Sequence, residues 1–241
     1  MLTPRRELYR RIILLLVVFL AVSAAWGADF WAKKPYQNWS ADETRRMLEE
    51  SPWATTLTLT ALRTGTAGGG VNKGYRPDME TDPTISYNLQ FRSAQPIREA
   101  QVRTSQLASK YDAMSAEQKA AFDTSAGKFL AATFPDRVVV SVTYHTDVPD
   151  YLTLLRSHWG RQSLGTLSTS VFLNAGKERL SLVSYSFKDD TFQFVFPRPR
   201  ELGPDDKMGV EFVHPNIGLR QQRLLLEFSV KKMLVNGEPA F

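Results

Sequence analysis

The chain has 241 residues, of which 43% are hydrophobic and 23% charged, and it carries a formal net charge of +5. A chain of that length buries a sufficient core without covalent staples. It also contains no cysteine, which excludes disulfides, thiolate zinc sites, thiol nucleophiles and a lipidated-cysteine anchor.

The first 27 residues read as an export signal. Arg5, Arg6, Arg10 and Arg11 precede the apolar run Ile12 to Val22, then come Ser23-Ala-Ala25 and a small-x-small site at Ala25-Trp-Gly27. Cleavage there leaves residues 28–241 as a periplasmic or secreted body. Retention makes the segment an inner-membrane anchor, since Ile12 to Trp31 reaches the roughly 20 residues of a membrane span. Trp26, Phe30 and Trp31, followed by Lys33 and Lys34, then form an interfacial aromatic belt. In both cases the arginines stay inside and the body lies outside the cytoplasm. Losing four arginines and Glu7 with the leader takes the formal charge from +5 to +2. The remaining Lys and Arg are dispersed rather than clustered, so nucleic acid is not expected as a partner.

Ser40-Ala-Asp-Glu43 is a capping box that opens a helix running to about Glu50 and stopping before Ser51-Pro52. Thr55 to Leu62 alternates as a strand, and the Gly-rich, acidic stretch Gly65 to Pro83 reads as a loop or link. Ile85, Tyr87, Leu89 and Phe91 alternate strictly with polar residues and mark the clearest strand. A helix then places Pro96 in its first turn, with Ile97, Ala100, Leu107, Ala108 and Tyr111 on one face. Ser115-Ala-Glu-Gln118 is a second capping box, opening a helix that aligns Phe122, Ala126, Phe129, Leu130 and Thr133 and ends at Pro135.

Val138 to His145 is the next strand. Asp147 stands at the N-cap position of a short helix from Pro149, which turns Tyr151, Leu152, Leu155 and Trp159 inward. From there the pattern is β: Ser168–Leu173, Arg179–Phe187, Thr191–Phe196, Met208–Val213 and Gln222–Val235. The apolar phase slips between Leu182 and Val183, which predicts a β-bulge. Asn174-Ala-Gly176 and Lys188-Asp-Asp190 read as turns. Helices followed by runs of strands predict an α+β fold, a mainly antiparallel sheet with three to four helices packed on it. It forms one domain over residues 28–241, with an aromatic, helical arm (28–54) and a β-rich half (165–241) that offers one half of a sandwich.

No coherent catalytic set emerges. His145-Thr-Asp147 offers an imidazole and a carboxylate, but the stronger reading makes Asp147 a cap and His145 a polar-face residue. His158 belongs to a helix end and His214 to a strand end. No zinc-ligand spacing is present, so neither metal nor cofactor is expected. Ser125-Ala-Gly-Lys128 matches S-x-x-K without its companion strings, there is no G-x-S-x-G, and the glycine cluster at 65–74 lacks the P-loop ending. The aromatics Phe30, Trp31, Tyr36, Trp39 and Trp53 either stack on a ligand or anchor the arm to the core.

Trp39-Ser40-x-x-Glu43-x-Arg45-x-x-Leu48-x-x-Ser51-Pro52-Trp53-Ala54 resembles the N-terminal signature of a group of uncharacterised exported proteins of diderm soil bacteria. Ser93-Ala-Gln-Pro-Ile-Arg98-Glu99-Ala100 and Phe228-x-Val-Lys-Lys-Met233 are similar to further strings in that group. The resemblance implies an envelope protein of unknown function and carries no catalytic residues.

These readings together predict an exported, non-enzymatic binding or scaffolding protein. Its partner is an unidentified envelope protein or ligand, and its only membrane contact is through an uncleaved leader. The candidate interaction residues are Trp31, Trp39, Trp53, Arg98, Glu99 and His145. A hydrolase of carbohydrate or peptide is the second reading, requiring two of His145, Asp147, His158, Asp189, Asp190 and Glu211 to converge. A small-ligand or lipid carrier is the third, requiring an apolar cavity enclosed by the β-region.

Overall fold

A computed structural model describes residues 30–60, 83–235 and 237–241. The leader and the glycine-rich stretch at 65–82 lie outside the described residues. Among those described, no helix is long and apolar enough to cross a membrane.

The chain opens with a one-turn helix, α1 (Phe30–Lys33), a 3₁₀ turn at Tyr36–Asn38, and α2 (Ala41–Glu49). Next come β1 (Ala54–Thr60), β2 (Thr84–Phe91), α3 (Gln95–Ala108), α4 (Ala116–Leu130), β3 (Arg137–Thr146), α5 (Pro149–Gly160) and the one-turn α6 (Leu164–Leu167). The C-terminal part contains β4 (Phe172–Ala175), β5 (Glu178–Ser181), β6 (Ser184–Lys188), β7 (Thr191–Pro197), β8 (Lys207–His214) and β9 (Gln222–Ser229). A 3₁₀ turn at Val230–Met233 leads into a two-residue hairpin, β10 (Leu234–Val235) and β11 (Glu238–Pro239). The architecture is α+β, with every strand pairing antiparallel.

Both capping boxes form as the sequence predicts: Ser40 with Glu43, and Ser115 with Gln118, each exchange reciprocal side-chain and backbone hydrogen bonds. Ser163 and Thr166 make a third at α6, which the sequence reading passed over because a four-residue helix has no apolar period. The other end of α2 is closed from the sheet. Asn88 and Gln90, on the polar face of β2, both donate to the Leu48 carbonyl at 3.0 Å, one of the acceptors a helix C-terminus leaves unpaired.

Besides the β10–β11 hairpin, the strands form two sheets rather than one. The first has the order β1-β2-β3-β7-β6 and the second β5-β4-β8-β9. The anticipated bulge in Arg179–Phe187 is where the chain leaves one sheet for the other. β5 pairs with β4 in the second sheet and β6 with β7 in the first, while between them Leu182 is buried and Val183 is exposed. The slip in apolar phase therefore records a change of partner, because each half turns its apolar face to the same interior from opposite sides. Asp189 and Asp190, both at positive φ, form the two-residue turn joining β6 and β7.

That interior is filled with aromatic rings. Tyr87, Phe192 and Phe194 of the first sheet lie with centroids 5.3, 5.7 and 6.1 Å from Phe212 of the second. Phe91 meets Phe228 edge-on at 4.9 Å. α5 closes one end by stacking Trp159 on Phe192 at 4.1 Å. The β-rich half thus supplies one whole sheet of a sandwich and two strands of the other, which β1, β2 and β3 complete, and the space between the sheets is packed with aromatic rings.

Three local expectations are corrected. Asp147 does not cap α5. Val148 holds the cap position without a side-chain bond, and Asp147 instead accepts from the Thr84 backbone N–H at 2.9 Å. α3 turns Ile97, Ala100 and Val102 inward, whereas Leu107 is exposed. α4 buries none of its residues, its predicted apolar stripe included.

One polar pair sits within the core. His214 is fully buried at the end of β8, its Nδ1 2.7 Å from the Tyr87 hydroxyl. Burial lowers its pKa from 6.5 to about 4. The unfolded chain takes up this proton below pH 6.5 and the native state only near pH 4, so the neutral imidazole's contribution is whole above 6.5 and disappears between those values. The linkage is worth about 3 kcal/mol. Replacing both partners, Tyr87→Phe with His214→Leu, is expected to flatten that part of the stability–pH curve in denaturant titrations. An unchanged slope between pH 6.5 and 4 would show that the imidazole is not held neutral.

Candidate functional site

The aromatic arm is tied down by burial. Phe30 and Trp39 pack edge-on at 5.3 Å, and Trp39 Nε1 donates to the Lys34 carbonyl at 3.2 Å. Trp39 and Trp53 are almost wholly buried. Of the three candidate tryptophans, these two are anchors rather than ligand-facing groups. Trp31 differs. It is only partly buried and lies edge-on to Trp53 at 5.9 Å.

Trp31 stands between two clefts. One, of 770 Å³, runs between the arm, the first turns of α3 and the C-terminal hairpin, and its walls include Trp31, Tyr36, Gln95, Glu99 and Leu234. The other, of 1180 Å³, continues past Trp31 to Arg46, Glu50, Lys231 and Lys232. The smaller cleft has the more defined chemistry. Glu99 is partly buried and accepts from Gln95 Nε2 at 3.0 Å. Burial raises its carboxyl above the ordinary range, against the Gln95 hydrogen bond and the charge of Arg98. Burial, with Glu99 and Asp123 nearby, also raises the Tyr36 hydroxyl. An indole face, a phenol and a half-buried acid suit a polar ligand with hydroxyl or amine donors and an apolar face.

The remaining candidates do not join this cleft. Arg98 is buried under α3, donating to the Ser93 carbonyl and, at 3.5 Å, to the Leu130 carbonyl. Its guanidinium also lies 5.2 Å from the Phe134 ring centroid. It caps the C-terminus of α4 and is structural. His145 is exposed on the outer face of β3. So the structure brings Trp31 and Glu99 together and assigns Trp39, Trp53 and Arg98 to the frame.

The groups a hydrolase would use are held apart by partners of their own. Asp190 takes a bidentate bond from Arg156, both at 2.6 Å, and a third bond from the Tyr144 hydroxyl at 3.1 Å. Glu211 lies on the outer face of the second sheet between Arg179, Arg223 and Asn174. Burial works to keep its proton on, yet these three partners bring its pKa below the ordinary value. His158 is half-buried beside Trp159, next to Gln162. Among the described residues no two of the six hydrolase candidates share a hydrogen bond. No group of three or more His, Asp or Glu among those residues is placed to hold a metal ion.

The sequence reading missed Gln95 and the C-terminal hairpin as walls of the cleft. The Asn236-Gly237 dipeptide, a strong hairpin signal, was the available clue.

No family model matches the chain, and no curated protein does. The crystal structure of a novel protein of unknown function from Burkholderia pseudomallei K96243 is similar at 12% identity, covering 58% of this chain and 73% of that one, with a TM-score of 0.36.

The raised Glu99 carboxyl gives a measurable sign. Its folded pKa exceeds the unfolded 4.5, so the folded state binds more protons just above that value and ionised Glu99 opposes folding at neutral pH. Glu99→Gln is expected to stabilise the protein at pH 7 by about 0.5 kcal/mol. In thermal melts the gain should shrink toward zero as the pH falls below 4.5. A gain independent of pH would point to packing instead.

Proposed function

We propose that this is an exported envelope protein that binds a partner without transforming it, using the arm-side cleft. The observation that carries the reading is the meeting of Trp31, Tyr36 and Glu99 in one cleft, with no nucleophile–base pair beside them among the described residues. An aromatic wall and a half-buried acid recognise shape and hydrogen-bond donors, which is the chemistry of retention rather than bond cleavage. Support for export comes from the basic, apolar and small-residue order of the leader, and from the resemblance of the W-S-x-x-E…S-P-W-A string to exported proteins. The cleft also begins at Trp31, only four residues beyond the small-x-small site, so a retained leader would hold it near the membrane surface.

Two measurements test the reading. Alkaline phosphatase fused after Phe241 should be active in cells with the whole chain and inactive when residues 1–27 are removed; activity in neither case would overturn export. In a deletion strain, Trp31→Ala with Glu99→Gln should fail to restore envelope integrity although the variant accumulates and folds. Full restoration, or turnover of an envelope glycan or peptide by the purified protein, would overturn the binding role.

A further inference from the structure

A third cleft, of 480 Å³, separates α3 from α4 on the far side of the helical layer. Its walls are mainly apolar, with Leu48, Val102, Phe122, Ala126 and Phe129 facing it. α4 leans over this space without burying a residue, and Phe129 stays 37% exposed. An amphipathic helix normally seats its apolar stripe on the core. Here the stripe faces a gap.

Arg92, in the turn after β2, also lines the gap and is half-buried there. Its guanidinium has no hydrogen bond, ion pair or ring partner among the described residues. The neighbouring arginines are treated differently: buried Arg98, although its Nε has no partner, gives its other donors to two carbonyls and lies over a ring, and half-buried Arg103 donates to the Trp39 carbonyl and to Gln106. An arginine has five donors, and a partly desolvated one without an acceptor is costly; burial accordingly pulls its pKa down. A second polar group beside the cleft is also unmatched, since the Gln101 Oε1 is buried without a donor.

We infer that the α3–α4 cleft binds a single-chain carboxylate amphiphile, a medium-chain fatty acid, with its head group on Arg92 and its chain along the apolar face of α4. Charge complementarity selects the acid, because a carboxylate satisfies two guanidinium donors at once. Apolar walls select the chain over a free inorganic anion. The volume falls in the range of about 300–1,000 Å³ typical of small-molecule sites. Gln101 Oε1 is an acceptor like the carboxylate itself, so only a water brought in with the head group can donate to it. This site is separate from the arm-side cleft, and its fate does not depend on that reading.

The test uses the full chain in membranes from producing cells, labelled with decanoic acid bearing a diazirine near its methyl end. Photolysis should place the adduct on peptides from α3 and α4. Decanoate should compete, while decanol and inorganic phosphate should not. Arg92→Gln should weaken labelling by about tenfold or more, as loss of a charged hydrogen-bonded pair does. It should not lower the unfolding midpoint, because it removes an unpaired charge rather than a contact. Ala126→Trp, which fills the cleft from its open side, should block labelling in a folded protein. Adducts elsewhere, equal competition by decanol or phosphate, or unchanged labelling of Arg92→Gln would each overturn the proposal.

Discussion

The packing of Phe212 against Tyr87, Phe192 and Phe194 is the constraint on which the rest of the molecule depends. It joins two sheets whose described strands form no ladder with one another, so how they face each other is set chiefly by side-chain packing. Rings placed edge-on gain from the attraction between a positive edge and a negative face, and they fill an interior of sheet-to-sheet thickness. Trp159 extends the same packing to α5, and Phe91 with Phe228 extends it toward the hairpin. A core held in this way leaves little room for a ligand between the sheets, and each of the three clefts described takes part of its wall from the helices or the N-terminal arm.

The same constraint determines how buried polar groups are treated. His214 enters the seam only as a neutral ring bonded to Tyr87. Arg98 is accepted under α3 because two carbonyls and the face of Phe134 receive it. Glu211 stays ionised because two arginines and an asparagine surround it on the outer face of its sheet. Burial favours the uncharged form throughout: it prevails at His214, while at Glu211 the partners reverse it. Among the described residues Arg92 departs from this pattern, and so does Glu99, whose one hydrogen-bond partner there is Gln95. Both exceptions line clefts.

Much of the frame was legible in the sequence because it depends on neighbours in the chain. The capping boxes at Ser40 and Ser115 need residues only three apart, and strict alternation in β2 and β7 marks inward faces whatever the partner strand. What could not be read required knowing the partner. The phase slip at Leu182–Val183 is the same string of residues for a bulge as for a change of sheet, and only the pairing of β5 with β4 distinguishes them. Asp147 had the right spacing for a cap but lies near Thr84, 63 residues away in sequence. The cleft was half legible. Trp31 and Glu99 stood out as residue types, yet Trp39, Trp53 and Arg98 stood out equally, and burial alone separates the two groups.

α4 shows how local order and tertiary stability come apart. Its capping box, the hydrogen bonds from Tyr111 to Asp123 and the closure of its last turn by Arg98 are local or end-on devices, and together they specify a helix of 15 residues. None of them requires its apolar stripe to meet the core. Segments that bury little apolar surface lie at the low end of the stability spectrum within a domain, where movement costs least. A helix fixed at its ends and open along its face can adjust to whatever fills the space beneath it without disturbing the sandwich. The stripe of Phe122, Ala126 and Phe129 is therefore a surface kept apart from the aromatic core, and the fold can leave it uncovered because Phe212 and its neighbours already hold the two sheets together.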